Sequence, residues 1–311
     1  MNLAEHLHFF YQELKQGNTN RYPVSLLKEW FDKAEEVINN DSKIIFGSSI
    51  IDSVADQRLY NNIPDDSLQW GITDIYYSTT DSTERKQLKP VDMMDLDKFD
   101  RKWRERTGTP NFWYYDKTEN KFGLYPYEQT VQTGTNCIEI KYRKKHTKMT
   151  VYYTTGTITT NGTENIVGSG SSWSGNVSAG DKLGVGTLAL GADMASSSFP
   201  TTWYTISSVT DNTNLVLSSA YTGSDGSSQS YIIASESSIN DKHLNYASIT
   251  WAQALAKKMD GDFSSMQALR DEALFLVRER MAQRGYDAAS QEPMVPDLAA
   301  PYPGTRYDDY Q

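Results

Sequence analysis

The composition of the chain changes abruptly at about residue 149 and changes back at about residue 236. Between these positions Gly, Ser, Thr, Asn and β-forming residues replace the charged and long apolar helical patterns of the flanks. The segment holds 11 of the 20 glycines, all between Gly156 and Gly226, and its short apolar runs alternate with turns such as Asn161-Gly162. Such spacing is typical of a small sandwich or barrel. The sequence therefore predicts a β-domain spliced into a mixed, charged protein.

The flanks predict helices and short strands, and together with the β-segment they predict an α+β fold. Helical spacing is found over residues 3–16, 24–39, 244–259 and 263–285, with a short charged helix at 95–106. Strands are expected at 57–63, 70–78, 87–91, 111–115, 122–125 and 137–143. We expect a helical bundle core with a small antiparallel sheet, plus an inserted all-β sandwich or barrel. The expected domains are the core (1–148 and 237–285), the β-insertion (149–236) and an extended C-terminal tail (286–311).

Size, charge and cysteine content limit the class of protein. The 311 residues suffice for two domains, and the formal net charge of -10 repels nucleic acid and anionic membranes at long range. The sequence contains no run of about 18 apolar residues, so no membrane span is expected. The first residues do not resemble a secretory signal. Cys137 is the single cysteine, so no internal disulfide can form, which is compatible with a reducing cytoplasm.

The sequence contains no arrangement that is typical of a catalytic, cofactor or metal site. The four histidines are scattered, and neither a His-x-x-x-His nor a Cys-x-x-Cys pattern is present. A glycine-rich run begins at Gly168 but lies between β-segments, whereas a phosphate-binding loop opens a helix. Adjacent carboxylates such as Asp65 and Asp66 are expected to be solvated surface charges. We therefore expect no enzymatic activity, no cofactor and no metal.

A strongly basic cluster stands at the entry to the β-segment of this acidic chain. It comprises Lys141, Arg143, Lys144, Lys145 and Lys148. Two interpretations are open. The cluster is either a solvated junction or a contact with an acidic partner surface or with DNA phosphate.

Aromatic residues provide further candidates. The run Phe112-Trp113-Tyr114-Tyr115 is interpreted as a buried strand rather than as a platform for stacking bases. Within the β-segment, Trp173 and Trp203 are candidate contact residues, because exposed tryptophans stack on sugars and anchor protein partners.

The motifs outside the β-segment occur in an order that resembles a known family. The order is an amphipathic helix with Trp30, then Tyr60-Asn-Asn-Ile-Pro-Asp-Asp, Leu88-Lys-Pro, Thr107-Gly-Thr-Pro leading into Trp113-Tyr-Tyr, Leu124-Tyr-Pro, Ile138-Glu-Ile-Lys-Tyr, and a helical pair with Trp251. This order resembles the head–tail adaptor (connector) proteins of tailed bacteriophages, particularly short-tailed ones. It covers about residues 20–145 and 240–285, and the β-segment resembles a module of phage neck and tail proteins.

The resemblance implies a structural virion protein of the neck, assembled in the host cytoplasm, with no catalytic residues. It implies a ring, usually of twelve copies, that joins the portal protein to the tail nozzle protein. DNA would pass through the central channel without sequence-specific binding, and no membrane is involved. Independently of the resemblance, the low charge and turn-rich edges of the β-insertion predict that it faces outward, toward a tail fibre or a neighbouring subunit. The C-terminal segment would lodge on the portal through Pro293, Pro301, Tyr302, Tyr307 and Tyr310.

Two other functions compete with this interpretation. A carbohydrate- or cell-surface-binding module of a phage tail would use the β-segment with Trp173 and Trp203 as stacking residues. A hydrolase would need carboxylates that converge, and the sequence alone does not place any pair together.

Overall fold

The computed structural model describes residues 1–14, 21–78, 85–128, 136–188 and 199–283. These residues divide into two compact units: the first unit joins residues 1–44 to residues 146–283, and the second unit comprises residues 45–145. The α+β class expected from the sequence is confirmed by helices together with several antiparallel sheets. The domain boundaries expected from the change in composition remain a prediction.

The described residues form five α-helices and sixteen strands, which are numbered in chain order. The helices are α1 (Leu3–Leu14), α2 (Val24–Ser42), α3 (Met93–Phe99), α4 (Lys242–Met259) and α5 (Phe263–Gln283), with a 3-10 turn at Trp103–Glu105. The strands of the second unit are β1 (Phe46–Ile51), β2 (Leu59–Tyr60), β3 (Ser67–Tyr77), β4 (Lys86–Gln87), β5 (Lys89–Pro90), β6 (Phe112–Asp116), β7 (Lys121–Tyr125) and β8 (Ile138–Lys144). Those of the first unit are β9 (Tyr152–Tyr153), β10 (Thr157–Thr160), β11 (Asn165–Ser169), β12 (Lys182–Val185), β13 (Tyr204–Val209), β14 (Asn214–Leu217), β15 (Gly226–Gln229) and β16 (Tyr231–Ala234).

The helices that flank the β-segment pack together in the first unit. Helix α1 begins at a capping box, in which the Asn2 amide donates to Glu5 Oε2 at 2.8 Å and the Glu5 amide donates to Asn2 Oδ1 at 3.0 Å. Asp241 caps α4 by accepting from the amides of His243 and Leu244. Helices α1 and α2, which precede the β-segment, both contact α4, which follows it. The two flanks therefore meet around the base of the β-segment.

The β-segment forms a single eight-stranded sheet with antiparallel pairing. The strand order is β15-β10-β11-β14-β13-β12-β16-β9, so its two ends do not pair and no barrel closes among the described strands. Apolar side chains from this sheet gather around Trp173 in a cluster that we call the β-core; its members include Ile166, Leu183 and Tyr231.

Strand β16 belongs to two hydrophobic cores at once. Tyr231 and Ile233 lie in the β-core, whereas Ile232 and Ala234 lie in a second cluster, the helical core, with residues of α1, α2 and α4. Successive side chains of a strand point to opposite faces, and all four residues of β16 are buried. One strand is thus shared between the β-segment and the helices.

The second unit consists of two four-stranded sheets that share a core. Their orders are β1-β8-β3-β4 and β2-β7-β6-β5, with parallel pairing between β5 and β6 and antiparallel pairing elsewhere. Tyr60 and Phe122 of one sheet and Ile75 and Ile140 of the other lie in the same cluster. A smaller cluster contains Trp103 together with Leu96 of α3.

Two details of the second unit differ from the sequence-based expectation. Strand β1 was not predicted, because Phe46–Ile51 carries no clear alternation of polar and apolar residues. The single strand expected at 87–91 is wrong: β4 pairs with β3, whereas β5 pairs with β6 of the other sheet. The chain changes sheets at Leu88, whose side chain is buried in the common core.

Candidate contact surfaces

Basic residues of the cluster in the second unit make contacts within the same unit. Lys144 Nζ lies 2.9 Å from Asp66 Oδ2, and Lys145 Nζ donates to the Asp65 carbonyl at 3.0 Å. Hydrogen bonding from Lys144 holds the pKa of Asp66 below its usual value. Lys141 Nζ lies 4.4 Å from the centre of the Tyr76 ring, in a cation–π contact. These contacts favour the interpretation of the cluster as a solvated junction.

The last basic residue of the cluster belongs to the first unit and has its own counterion. Lys148 Nζ lies 3.1 Å from Asp32 Oδ2 on α2, and His146 Nε2 lies 2.8 Å from Asp32 Oδ1. Lys28, on the same helix, donates from Nζ to the Thr150 carbonyl at 2.7 Å. Polar contacts therefore tie α2 to the segment that enters the β-sheet. The sequence could not reveal them, because the partners are more than 100 positions apart.

The two candidate tryptophans of the β-segment are placed differently. Trp173 is fully buried, and its Nε1 donates to the Tyr231 hydroxyl at 2.9 Å. Its ring is part of the β-core and is not available to a sugar or partner in this conformation. Trp203 is partly exposed and packs against the helical core, with the Phe199 ring 5.9 Å away. No exposed pair of tryptophan faces is formed, which leaves the carbohydrate-binding interpretation without structural support.

The aromatic run in the second unit is a buried strand, as expected. Trp113 and Tyr114 of β6 are buried, and the Trp103 ring meets the Tyr114 ring edge-on at 5.0 Å. Burial raises the pKa of Tyr114 to about 12. These rings stabilise the unit and do not form a stacking platform.

The proposed portal-binding residues lie outside the described residues. They are Pro293, Pro301, Tyr302, Tyr307 and Tyr310. Their role therefore remains a prediction.

A buried carboxyl group at the base of the β-segment was not singled out from the sequence. Glu35 of α2 has no exposed surface, and its Oε1 has no hydrogen-bond partner among the described residues. Its Oε2 accepts from the Ser238 hydroxyl at 3.4 Å. Burial raises the pKa of Glu35 to about 7, although hydrogen bonds from Ser237 and Ser238 oppose the shift. The neighbouring Glu36 pairs with Lys33 on the surface, so these adjacent carboxylates do not converge.

A buried histidine lies in the same helical core. His6 Nδ1 is 2.9 Å from the Asn2 carbonyl and its Nε2 is 3.0 Å from Ser248 Oγ. Burial lowers the pKa of His6 to about 4, so the ring is neutral and Nδ1 donates to the carbonyl. His6 on α1 thereby ties this helix to α4 through a neutral hydrogen-bonded contact.

The outer edge of β1 is an exposed feature that the sequence analysis missed. Phe46 and Ile50 are each 48% exposed and Val54 is 45% exposed. An open depression of about 570 Å³ begins at Ile50 and is lined also by Val54, Tyr60, Asn61 and Asn136. The only available signal was the absence of charge from Phe46–Ile51 within a charged flank.

Among the described residues, no three His, Cys, Asp or Glu side chains come close enough to hold a metal ion. No described helix is both long and apolar enough to span a bilayer.

Comparison with known proteins identifies one family. The model of the SU10 adaptor protein family matches residues 3–165, which is more than half of the chain. The match runs through both sheets of the second unit and into the first strands of the β-segment. It confirms the resemblance to phage head–tail adaptors inferred from the order of motifs. A search of curated proteins finds no match.

Proposed function

Because this chain belongs to the SU10 adaptor protein family, we propose that it forms the head–tail adaptor ring that joins the portal protein to the tail nozzle protein. The family match is the observation that carries the proposal. The chain is a structural component of the phage virion. The proposal includes a ring of twelve copies, a DNA channel, assembly in the host cytoplasm and the absence of enzymatic activity.

The distribution of charge supports a passive DNA channel. The formal net charge is -10, and the basic residues of the junction contact Asp32, Asp66 and the Asp65 carbonyl. A surface of this kind repels DNA at long range and does not hold it during packaging or ejection. Full-length protein is therefore expected not to shift a labelled duplex in fluorescence anisotropy at low salt. Tight, salt-sensitive binding would contradict a passive channel.

In the proposed adaptor, the β-segment provides contacts with partner proteins and is also packed against the helices. Its outer strands are available to a tail fibre or a neighbouring subunit, whereas β16 is committed to the helical core. We assign partner contacts to the surface of the sheet away from β16. The tail after residue 285 would dock on the portal through its prolines and tyrosines.

Electron microscopy tests the adaptor function directly. Purified full-length chain would be mixed with the portal protein of the same phage and examined by cryo-electron microscopy and mass photometry. We expect closed rings that stack coaxially on the portal, and no such particles when the portal is replaced by an unrelated ring protein of similar size. A chain that stays monomeric and does not bind the portal would overturn the proposal.

A further inference from the structure

The outer edge of β1 lacks the protection that natural edge strands normally have. Charged side chains, prolines or bulges commonly keep an exposed edge from pairing with other chains. Phe46–Ile51 contains neither a charged residue nor a proline, and its register with β8 is continuous over six residues. Three of the exposed large apolar side chains of the described residues, Phe46, Ile50 and Val54, lie in this strand or just after it.

The direction of the backbone groups can be read from one hydrogen bond. The Lys144 amide donates to the Ile45 carbonyl at 2.8 Å. Because antiparallel ladders alternate, Gly47, Ser49 and Ile51 bond to β8. The amides and carbonyls of Phe46, Ser48 and Ile50 therefore point to the other side, where no described strand pairs with them. This edge offers three donors and three acceptors in strand geometry.

The surroundings of the edge differ at its two ends. Lys145 follows β8 and its Nζ bonds to the Asp65 carbonyl, which carries no net charge, so this end is cationic. At the other end, Ile50 and Val54 border the depression, where Asn61 and Asn136 contribute polar groups. The edge therefore favours a strand with a carboxylate near Phe46 and a large apolar side chain near Ile50.

We propose that β1 is a strand-addition site for an extended segment of a partner protein. The segment runs antiparallel to β1, carries an acidic side chain opposite Phe46 and inserts an apolar side chain beside Ile50 and the depression. A second copy of β1 fits less well, because it brings no carboxylate to the cationic end. The inference goes beyond the adaptor ring and does not depend on it.

A designed peptide tests the site on the full-length chain. The probe is a fluorescein-labelled heptapeptide, Thr-Leu-Thr-Val-Thr-Glu-Thr, whose Leu, Val and Glu would lie opposite Ile50, Ser48 and Phe46. We expect saturable binding in fluorescence anisotropy. Methylation of the backbone nitrogens of Leu, Val and Glu, which would face β1, should abolish binding. Methylation of the inner Thr nitrogens, which would face away, should be tolerated.

A pair of variants at one position supplies the matched control in the protein. Ser48→Pro removes an outward amide without removing a hydrogen bond to β8, since proline is tolerated at an edge. Ser48→Ala keeps that amide, and both variants lose the bond from Ser48 Oγ to Glu139. We expect Ser48→Pro to weaken binding about tenfold, because the peptide loses one hydrogen bond between uncharged groups and fits the strand less well. We expect Ser48→Ala to bind like wild type. Circular dichroism and the melting temperature check that both fold.

Three results would overturn the proposal. The first is no saturable binding by the wild type, and the second is equal binding by Ser48→Pro and Ser48→Ala. The third is self-association of the chain that Ser48→Pro abolishes while the peptide does not bind, since this would assign the edge to a second copy. Ring formation on the portal is measured separately, so a failure here is distinguishable from a failure of the adaptor function.

Discussion

Ile232 and Ile233 are neighbours in strand β16 but are buried in different hydrophobic cores. Ile232 packs with the helices α1, α2 and α4, and Ile233 packs with Trp173 and the other side chains of the β-core. The β-segment is therefore anchored through a shared strand and not only through its two chain connections. A shared strand makes the stability of the helices and of the β-sheet interdependent.

Truncation of either isoleucine should destabilise the whole first unit. Ile232→Ala and Ile233→Ala each remove a fully buried side chain, so each should cost about 2–5 kcal/mol of the free energy of unfolding. Because the two cores share β16, we expect one cooperative transition for this unit in both variants, monitored by far-ultraviolet circular dichroism in urea. Val167→Ala, at an exposed position of β11, is the control and should change stability by less than about 0.5 kcal/mol. Separate transitions for helices and β-sheet would contradict the shared-core interpretation.

The shared strand also changes how the β-segment should be removed. Deletion of residues 149–236 takes Met149, Ile232 and Ala234 out of the helical core, so we expect it to leave misfolded helices. Replacement of residues 156–230 by Asn-Gly would keep β9 paired with β16, since Tyr153 lies opposite Ile233 and Asn-Gly favours a tight hairpin turn.

The hairpin variant needs polar substitutions at the newly exposed positions Tyr231 and Ile233. With Tyr231→Thr and Ile233→Thr it should retain the helical signal and, if the adaptor proposal holds, ring formation. Circular dichroism and electron microscopy of both deletions would decide. Equal helical content and equal ring formation in the two deletions would show that β16 is dispensable to the helices.

Features that depend on local residue patterns could be predicted from the sequence. Helical spacing and turn residues located the helices and most strands, and the change of composition located the β-sheet. The sequence did not reveal features that depend on distant partners: the Lys144–Asp66 contact, the burial of Trp173, and the division of β16 between two cores. The continuous apolar run Tyr231–Ala234 was compatible with a strand buried on both faces, but nothing local identified what would cover each face.

Substitution of Trp173 should act through folding and not through partner binding. Trp173→Ala removes the largest ring of the β-core and its hydrogen bond to the Tyr231 hydroxyl, at a cost of about 3–5 kcal/mol. Trp203→Ala should cost less, because the Trp203 ring is only partly buried. Urea midpoints of the two variants provide the comparison. A folded Trp173→Ala protein with unchanged stability would show that this ring does not hold the β-core together.

The pKa of Glu35 predicts an unusual dependence of stability on pH. Its folded value of about 7 lies above the ordinary value of 4.5, so burial favours the protonated form. The resulting stability is fully present below pH 4.5 and is lost as the pH rises to about 7, by roughly 3 kcal/mol in total. His6 has the opposite effect: its folded value of about 4 lies below 6.5, so its stability is present above pH 6.5 and is lost as the pH falls to about 4.

Glu35→Gln separates the two effects, because it removes one titration and keeps the shape of the side chain. We expect the variant to be more stable than wild type at pH 7.5 by up to roughly 3 kcal/mol and nearly equal at pH 4.5. The variant should then gain stability as the pH rises from 4 to 6.5, because the lowered pKa values of His6 and His8 oppose acid, whereas wild type should vary less. Urea titrations across this range measure the effect, and Glu36→Gln, which alters a surface pair with Lys33, is the control. A Glu35→Gln profile parallel to that of wild type would mean that Glu35 is ionised in the folded chain at pH 5–7 and that its burial does not favour the acid form.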